Sequence, residues 1–167
     1  MLSKNITFIL FALILTSCVT TSNIPTEVSS EIPDDANAIE LYSTESPSDF
    51  YKTIYQHLAS EGFSISQENS EMGTFSTGFK EVGQETTLKI DVFVEKDNNG
   101  SKATLRGSWN VTSSMGAGIT AATGASLGGT SAERASWDQS GRPKVAFGEM
   151  AVIAKEIEYQ KLEYISD

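Results

Sequence analysis

Two alternating runs joined by a turn limit what this chain can fold into more than any other feature. Leu88–Glu95, LKIDVFVE, puts Leu88, Ile90, Val92 and Val94 on one side. Lys102–Trp109, KATLRGSW, puts Ala103, Leu105, Gly107 and Trp109 on one side and Lys102, Thr104, Arg106 and Ser108 on the other. Successive strand side chains point to opposite faces, so each run reads as a half-buried strand. The KDNNG between them carries an Asn-Gly pair that tolerates positive φ, as a hairpin turn requires. The result is an antiparallel pair with one wet face, and its apolar face needs a covering layer.

The flanking sequence offers that cover. Ala38–Ser43, AIELYS, is a strand candidate. Ser46-Pro47-Ser48-Asp49 reads as a helix start, with Ser46 as N-cap, Pro47 in the first turn and Asp49 closing a capping box. Phe50, Ile54 and Leu58 recur every four residues, and Gly62 stands where a left-handed residue ends a helix. FSISQ, with Phe63 and Ile65 on one face, and TFSTGF, with Phe75, Thr77 and Phe79 together, are further strands. Residues 144–165 carry Met150, Ile153, Ile157 and Tyr164 at helical spacing and predict one long helix. The expected fold is α+β: an antiparallel meander of four to five strands with two helices on one face.

The amino-terminal region reads differently. Lys4 precedes the apolar run Ile6–Leu15, which has about half the roughly 20 residues a spanning helix needs and fits the h-region of an export signal. Leu15-Thr16-Ser17-Cys18 follows, and Cys18 is the one cysteine of the chain. These four residues resemble the lipobox of bacterial lipoproteins. The resemblance implies a signal peptide over 1–17, a diacylglycerol on the Cys18 thiol and an acylated new amino terminus, so that the membrane is a partner through Cys18. Val19 stands where Asp would resemble an inner-membrane retention signal, so an outer-membrane address is expected, with the domain facing periplasm or cell surface. Residues 18–37, rich in Ser, Thr, Pro and acids, predict a disordered tether reaching on the order of 25 Å. One α+β domain is then expected over 38–167, with a Gly-rich connection at 111–141.

Gly62-Phe63 and Gly73-Thr74-Phe75-Ser76-Thr77, set between a helix and a meander, resemble the helix-grip domains of envelope lipoproteins, such as the BamC-like lipoproteins of the β-barrel assembly machinery. That resemblance implies a non-enzymatic interaction role in outer-membrane assembly or maintenance, with an envelope protein as partner.

Charge and residue types remove other classes. A formal charge of -10 argues against nucleic acid, whose recognition needs a basic footprint. With Cys18 acylated no thiol remains for a disulfide or a nucleophile. No cofactor is expected, since Gly116-Ala117-Gly118 lacks the third glycine of a dinucleotide fingerprint and no Gly-Lys-Ser/Thr follows. No metal and no catalytic residue are expected either. His57 is the one histidine and reads as a surface or half-buried helix residue, and EKDNNG lacks the spacing of a calcium loop.

No charge falls between Arg106 and Glu133. Gly116, Thr120, Gly124 and Gly128 recur every four residues there, a small-residue stripe that resembles a glycine zipper and is a candidate partner contact. A Gly/Ser/Thr loop and extra strands around Trp137 are the other readings. For the whole chain, a scaffold or interaction lipoprotein is expected. A small-ligand or glycan module between sheet and long helix is the alternative, and a carboxylate-dependent hydrolase the third.

Overall fold

The computed structural model describes residues 24–83, 85–111, 132–138 and 140–166. In chain order its elements are α1 (Thr26–Ser29), β1 (Ala38–Ser43), α2 (Pro47–Ser60), β2 (Ile65–Asn69), β3 (Thr74–Thr77), β4 (Lys80–Gly83), β5 (Thr86–Asp97), β6 (Gly100–Val111), β7 (Glu133–Arg134), α3 (Arg142–Glu156) and β8 (Lys161–Ile165). The architecture is α+β, as the alternation and the helix signals predict.

The β5–β6 hairpin organises the sheet. It pairs continuously from Thr86↔Val111 to Asp97↔Gly100, and Leu88, Ile90, Val92, Val94, Ala103 and Leu105 are all buried on one side. At the turn Gly100 has φ +152, and a Cβ there would collide with the Ser43 carbonyl, so glycine is needed for both conformation and space. Every pairing is antiparallel, in the order β2-β3-β5-β6-β1-β8. β4 also pairs with β5, beside β3, and β7 pairs with β6, beside β1.

The described residues thus hold eight strands rather than four to five. One cause is a one-residue slip. Phe75 faces Val92 but Lys80 faces Leu88, so one extra residue sits between β3 and β4. The Gly78 N–H, bonded to the Ser64 carbonyl, marks this bulge. A slip of one residue exchanges the two faces. Phe75 and Thr77 stay buried, while Phe79, expected beside them, is 46% exposed.

The second cause lies at the carboxyl end. The helix expected over 144–165 stops at Glu156, and Ile157 turns extended. Lys161–Ile165 then forms β8 against β1, with Tyr164 opposite Ile39 and Leu162 opposite Leu41. Backbone bonds from Gln160 N–H to the Tyr42 carbonyl and from Asn37 N–H to the Ile165 carbonyl close both ends of this pairing.

α2 begins as expected. The Ser46 hydroxyl accepts from the Asp49 N–H at 3.3 Å and donates to the Asp49 carboxylate at 2.7 Å. Those bonds and Lys52 hold the Asp49 carboxyl below its usual range. Phe50, Ile54 and Leu58 are fully buried. Both α2 and α3 pack on β5 and β6. Only the apolar side of those strands is buried, so both helices cover that one face.

Residues 24–37 do not form the free tether expected over 18–37. From Ile24 onward the chain lies on the domain: Val28, Ile32 and Ala36 are buried, and the Trp137 N–H bonds to the Ala36 carbonyl. Gly148 on α3 makes this possible, because a Cβ there would collide with Ile24 and crowd Trp137. α3 is therefore covered on two sides, by the sheet and by this segment, which explains why Pro143, Val145, Ala146, Phe147, Met150, Ala151, Ile153 and Ala154 are all buried. At the back of the Gly-rich connection, Glu133–Arg134 forms β7, and Ala135 and Trp137, which follow it outside any strand, are buried.

Candidate functional site

The other face of the sheet, over which no helix lies among the described residues, carries the residues between the inward ones. Ion pairs across and along the strands neutralise part of it. Lys102 bridges Glu40 at 3.0 Å and Glu95 at 3.1 Å, Lys89 pairs with Asp91 at 2.9 Å, and Lys161 with Glu163 at 2.6 Å. The Tyr42 hydroxyl donates to Glu40 at 2.8 Å, and this bond keeps its proton well above the usual tyrosine range. The two pairs of Lys102 cross between strands and support register, and partly exposed pairs of this kind stabilise little.

Phe93 interrupts this polar surface. It sits mid-strand on the open side and remains 41% exposed. Around it lies a shallow groove of about 540 Å³, bordered by Asn69, Thr74, Ser76, Asp91, Thr104 and Arg106. The register places Thr74, Phe93 and Thr104 in one row and Ser76, Asp91 and Arg106 in the next. The Ser76 hydroxyl donates to the Asp91 carboxylate. An exposed ring flanked by paired donors and acceptors can take an apolar group with polar edges. The alternating pattern placed Phe93 on the wet side, and a large aromatic at a wet position was the available sign of this groove.

A second recess, of about 400 Å³, lies where α2 and α3 end, lined by Pro25, Glu61, Lys80, Glu149, Ile153 and Glu156 among others. Here a ring nitrogen of His57 and one carboxylate oxygen each from Glu61 and Glu156 lie within 4.8 Å of one another. Lys80 donates to the Glu61 carbonyl and lies 4.9 Å from the Phe63 ring centroid. His57 is half-buried, as the sequence suggests, but its two glutamate neighbours were not legible. Glu61 is four residues away, while Glu156 is nearly a hundred residues distant and arrives only through packing.

Burial raises the Glu149 carboxyl above its usual range, with Lys80 opposing. The folded state therefore holds that proton more tightly than the unfolded chain. This favours folding below the ordinary carboxylate value, and the contribution is lost as pH rises through the folded pKa. Glu149→Gln should raise the melting temperature, relative to wild type, more at about pH 7 than at about pH 4. An identical difference at both values would contradict the assignment.

Cys18 and the stripe Gly116, Thr120, Gly124 and Gly128 lie outside the described residues. Phe147, Met150 and Ile153 are buried on α3, and Trp137 packs against Phe147, with ring centroids 6.4 Å apart. Core side chains thus fill the contact of α3 with the sheet at these positions, and the Phe93 groove lies on the opposite face. No protein-family model matches the chain, and no curated protein matches it.

Proposed function

We propose that this chain is a bacterial lipoprotein, anchored through Cys18, whose domain is a non-enzymatic interaction module of the envelope with an outer-membrane address. The observation that carries the reading is Leu15-Thr16-Ser17-Cys18 placed directly after the apolar run Ile6–Leu15. One acyl chain anchors only marginally; a diacylglycerol with an N-acyl group adds the further chains that stable attachment needs. Ile24 packs on the domain against Gly148, and five residues, Val19–Asn23, stand between it and Cys18. The six steps from Cys18 to Ile24, at about 3.5 Å each, span at most about 21 Å, so the end of the domain bearing Ile24 stays close to the bilayer.

Two helices over one face of an antiparallel sheet support the helix-grip reading, and that arrangement leaves the other face for a partner. The partner is an envelope protein that docks over Phe93, with the stripe at Gly116, Thr120, Gly124 and Gly128 as a second candidate contact. A photoreactive aromatic at Phe93 should give one discrete protein adduct in intact cells, and Lys52, on the exposed side of α2, should not. Phe93→Ser should weaken capture several-fold, about 1 kcal/mol or more for an interface aromatic, and leave the melting temperature within a few degrees. Equal adducts from both positions would contradict docking there.

One observation favours a second reading. An exposed Phe93 ring beside Asp91, Arg106 and Asn69 also suits a sugar ring, which stacks on aromatics and hydrogen-bonds at its edge. Binding of glycan fragments, lost in Phe93→Ser without any protein adduct, would select it.

A further inference from the structure

We infer that His57, Glu61 and Glu156 form a binding site for one divalent transition-metal cation, of which zinc is the type, clamping the ends of α2 and α3 together. The inference does not depend on lipidation or on the Phe93 groove.

The donors come from two elements that the sequence keeps far apart. His57 and Glu61 stand four residues apart at the end of α2, a spacing that puts two side chains on one helical face. Glu156 is the last residue of α3. Their three candidate ligand atoms already lie within 4.8 Å of one another. A cation held at about 2.0–2.2 Å from each donor needs them about 3–4 Å apart, which small rotations of two flexible glutamate side chains provide.

A second observation points the same way. His57 Nε2 is enclosed and has no hydrogen-bond partner. An enclosed imidazole nitrogen without a partner is costly, and it needs an explanation. Ligation through Nε2 supplies one, because a neutral imidazole protonated at Nδ1 gives its Nε2 lone pair to the ion.

The electrostatics favour a cation. α2 and α3 both end here, and each helix carboxyl end carries partial negative charge. Glu81 and Glu149 line the same recess. Lys80 is the opposing charge in that lining, and its ammonium is directed to the Glu61 carbonyl and the Phe63 ring. One imidazole with two carboxylates suits zinc, nickel, cobalt or manganese better than magnesium or calcium, which prefer all-oxygen sets. Water would complete the coordination shell.

The test uses the full-length protein in detergent, titrated with zinc chloride in a non-chelating buffer and followed by calorimetry and thermal unfolding. One equivalent should bind saturably in the presence of excess magnesium, and the melting temperature should rise with zinc. His57→Ala and Glu156→Gln should each weaken binding by about tenfold or more and abolish most of the thermal shift. Glu71→Gln, in the β2–β3 turn, should change neither. Glu156 is exposed, so its variant keeps the test valid even if His57→Ala perturbs folding. Absence of stoichiometric binding, displacement by magnesium, or zinc binding unchanged in Glu156→Gln would each overturn the site.

Discussion

Val92→Asp should abolish cooperative folding, while Lys89→Gln, three residues earlier on the same strand, should leave it nearly unchanged. Val92 is 3% exposed and faces the helices from the centre of β5, opposite Leu105 and Phe75. An aspartate there loses the valine packing and buries a carboxylate with no partner. A substitution that buries an unpaired charge falls in the class that costs more than about 4 kcal/mol. A domain of this size has only about 5–15 kcal/mol of stability. Lys89 lies on the other face, in an ion pair with Asp91. Losing a partly exposed pair costs about 0.2–1 kcal/mol. Urea unfolding of both variants checks the contrast. Two equally mild variants would mean that the β5 register is wrong, and with it the assignment of Phe93 to the open face.

Cys18→Ala should have the largest effect on the protein's fate. In the proposed pathway the thiol receives the diacylglycerol before the signal is removed, so the variant should retain residues 1–17 and incorporate no fatty acid. Metabolic labelling with an alkyne fatty acid, read on gels beside the mobility of the chain, measures both effects together. The loss of label should be complete rather than partial, because the chain offers no other cysteine. Retained label at the wild-type level would place the lipid elsewhere or remove it from the account.

What could be read in the sequence follows from the range of the forces involved. The β5–β6 hairpin, the Ser46 cap, the Phe50–Ile54–Leu58 stripe and the Gly62 terminus are each set by residues within a turn or two of one another. Gly62 does adopt φ +85, as the end of α2 requires. The misreadings come from longer-range competition. Tyr164 lies seven residues after Ile157, which suits a helix, but Leu162 and Tyr164 alternate with Lys161 and Glu163, which suits a strand equally well. The free edge of β1 decided between them. The tether composition misled for a similar reason. Val28, Ile32 and Ala36 are sparse, yet Gly148 of α3 and Trp137, ahead of that helix, receive the segment.

The two candidate sites differ in the same way. Phe93 was not singled out, although the alternation of LKIDVFVE puts its aromatic ring opposite the apolar set, and the groove around it needs the pairing of β3, β5 and β6. The His57 cluster was invisible, because Glu156 belongs to a helix whose end point was itself misplaced by nine residues, from 165 to 156. A histidine on a helix flank carries no sign of the carboxylates that another element will bring.

The most direct test of the central proposal, a lipid-anchored envelope module, is intact mass spectrometry of the protein purified from its native membrane. The account predicts a polypeptide beginning at Cys18, heavier than residues 18–167 by a diacylglycerol and an amide-linked acyl chain, with both additions on the amino-terminal peptide. An amino terminus at any other residue, or a Cys18 that carries no lipid, would contradict it.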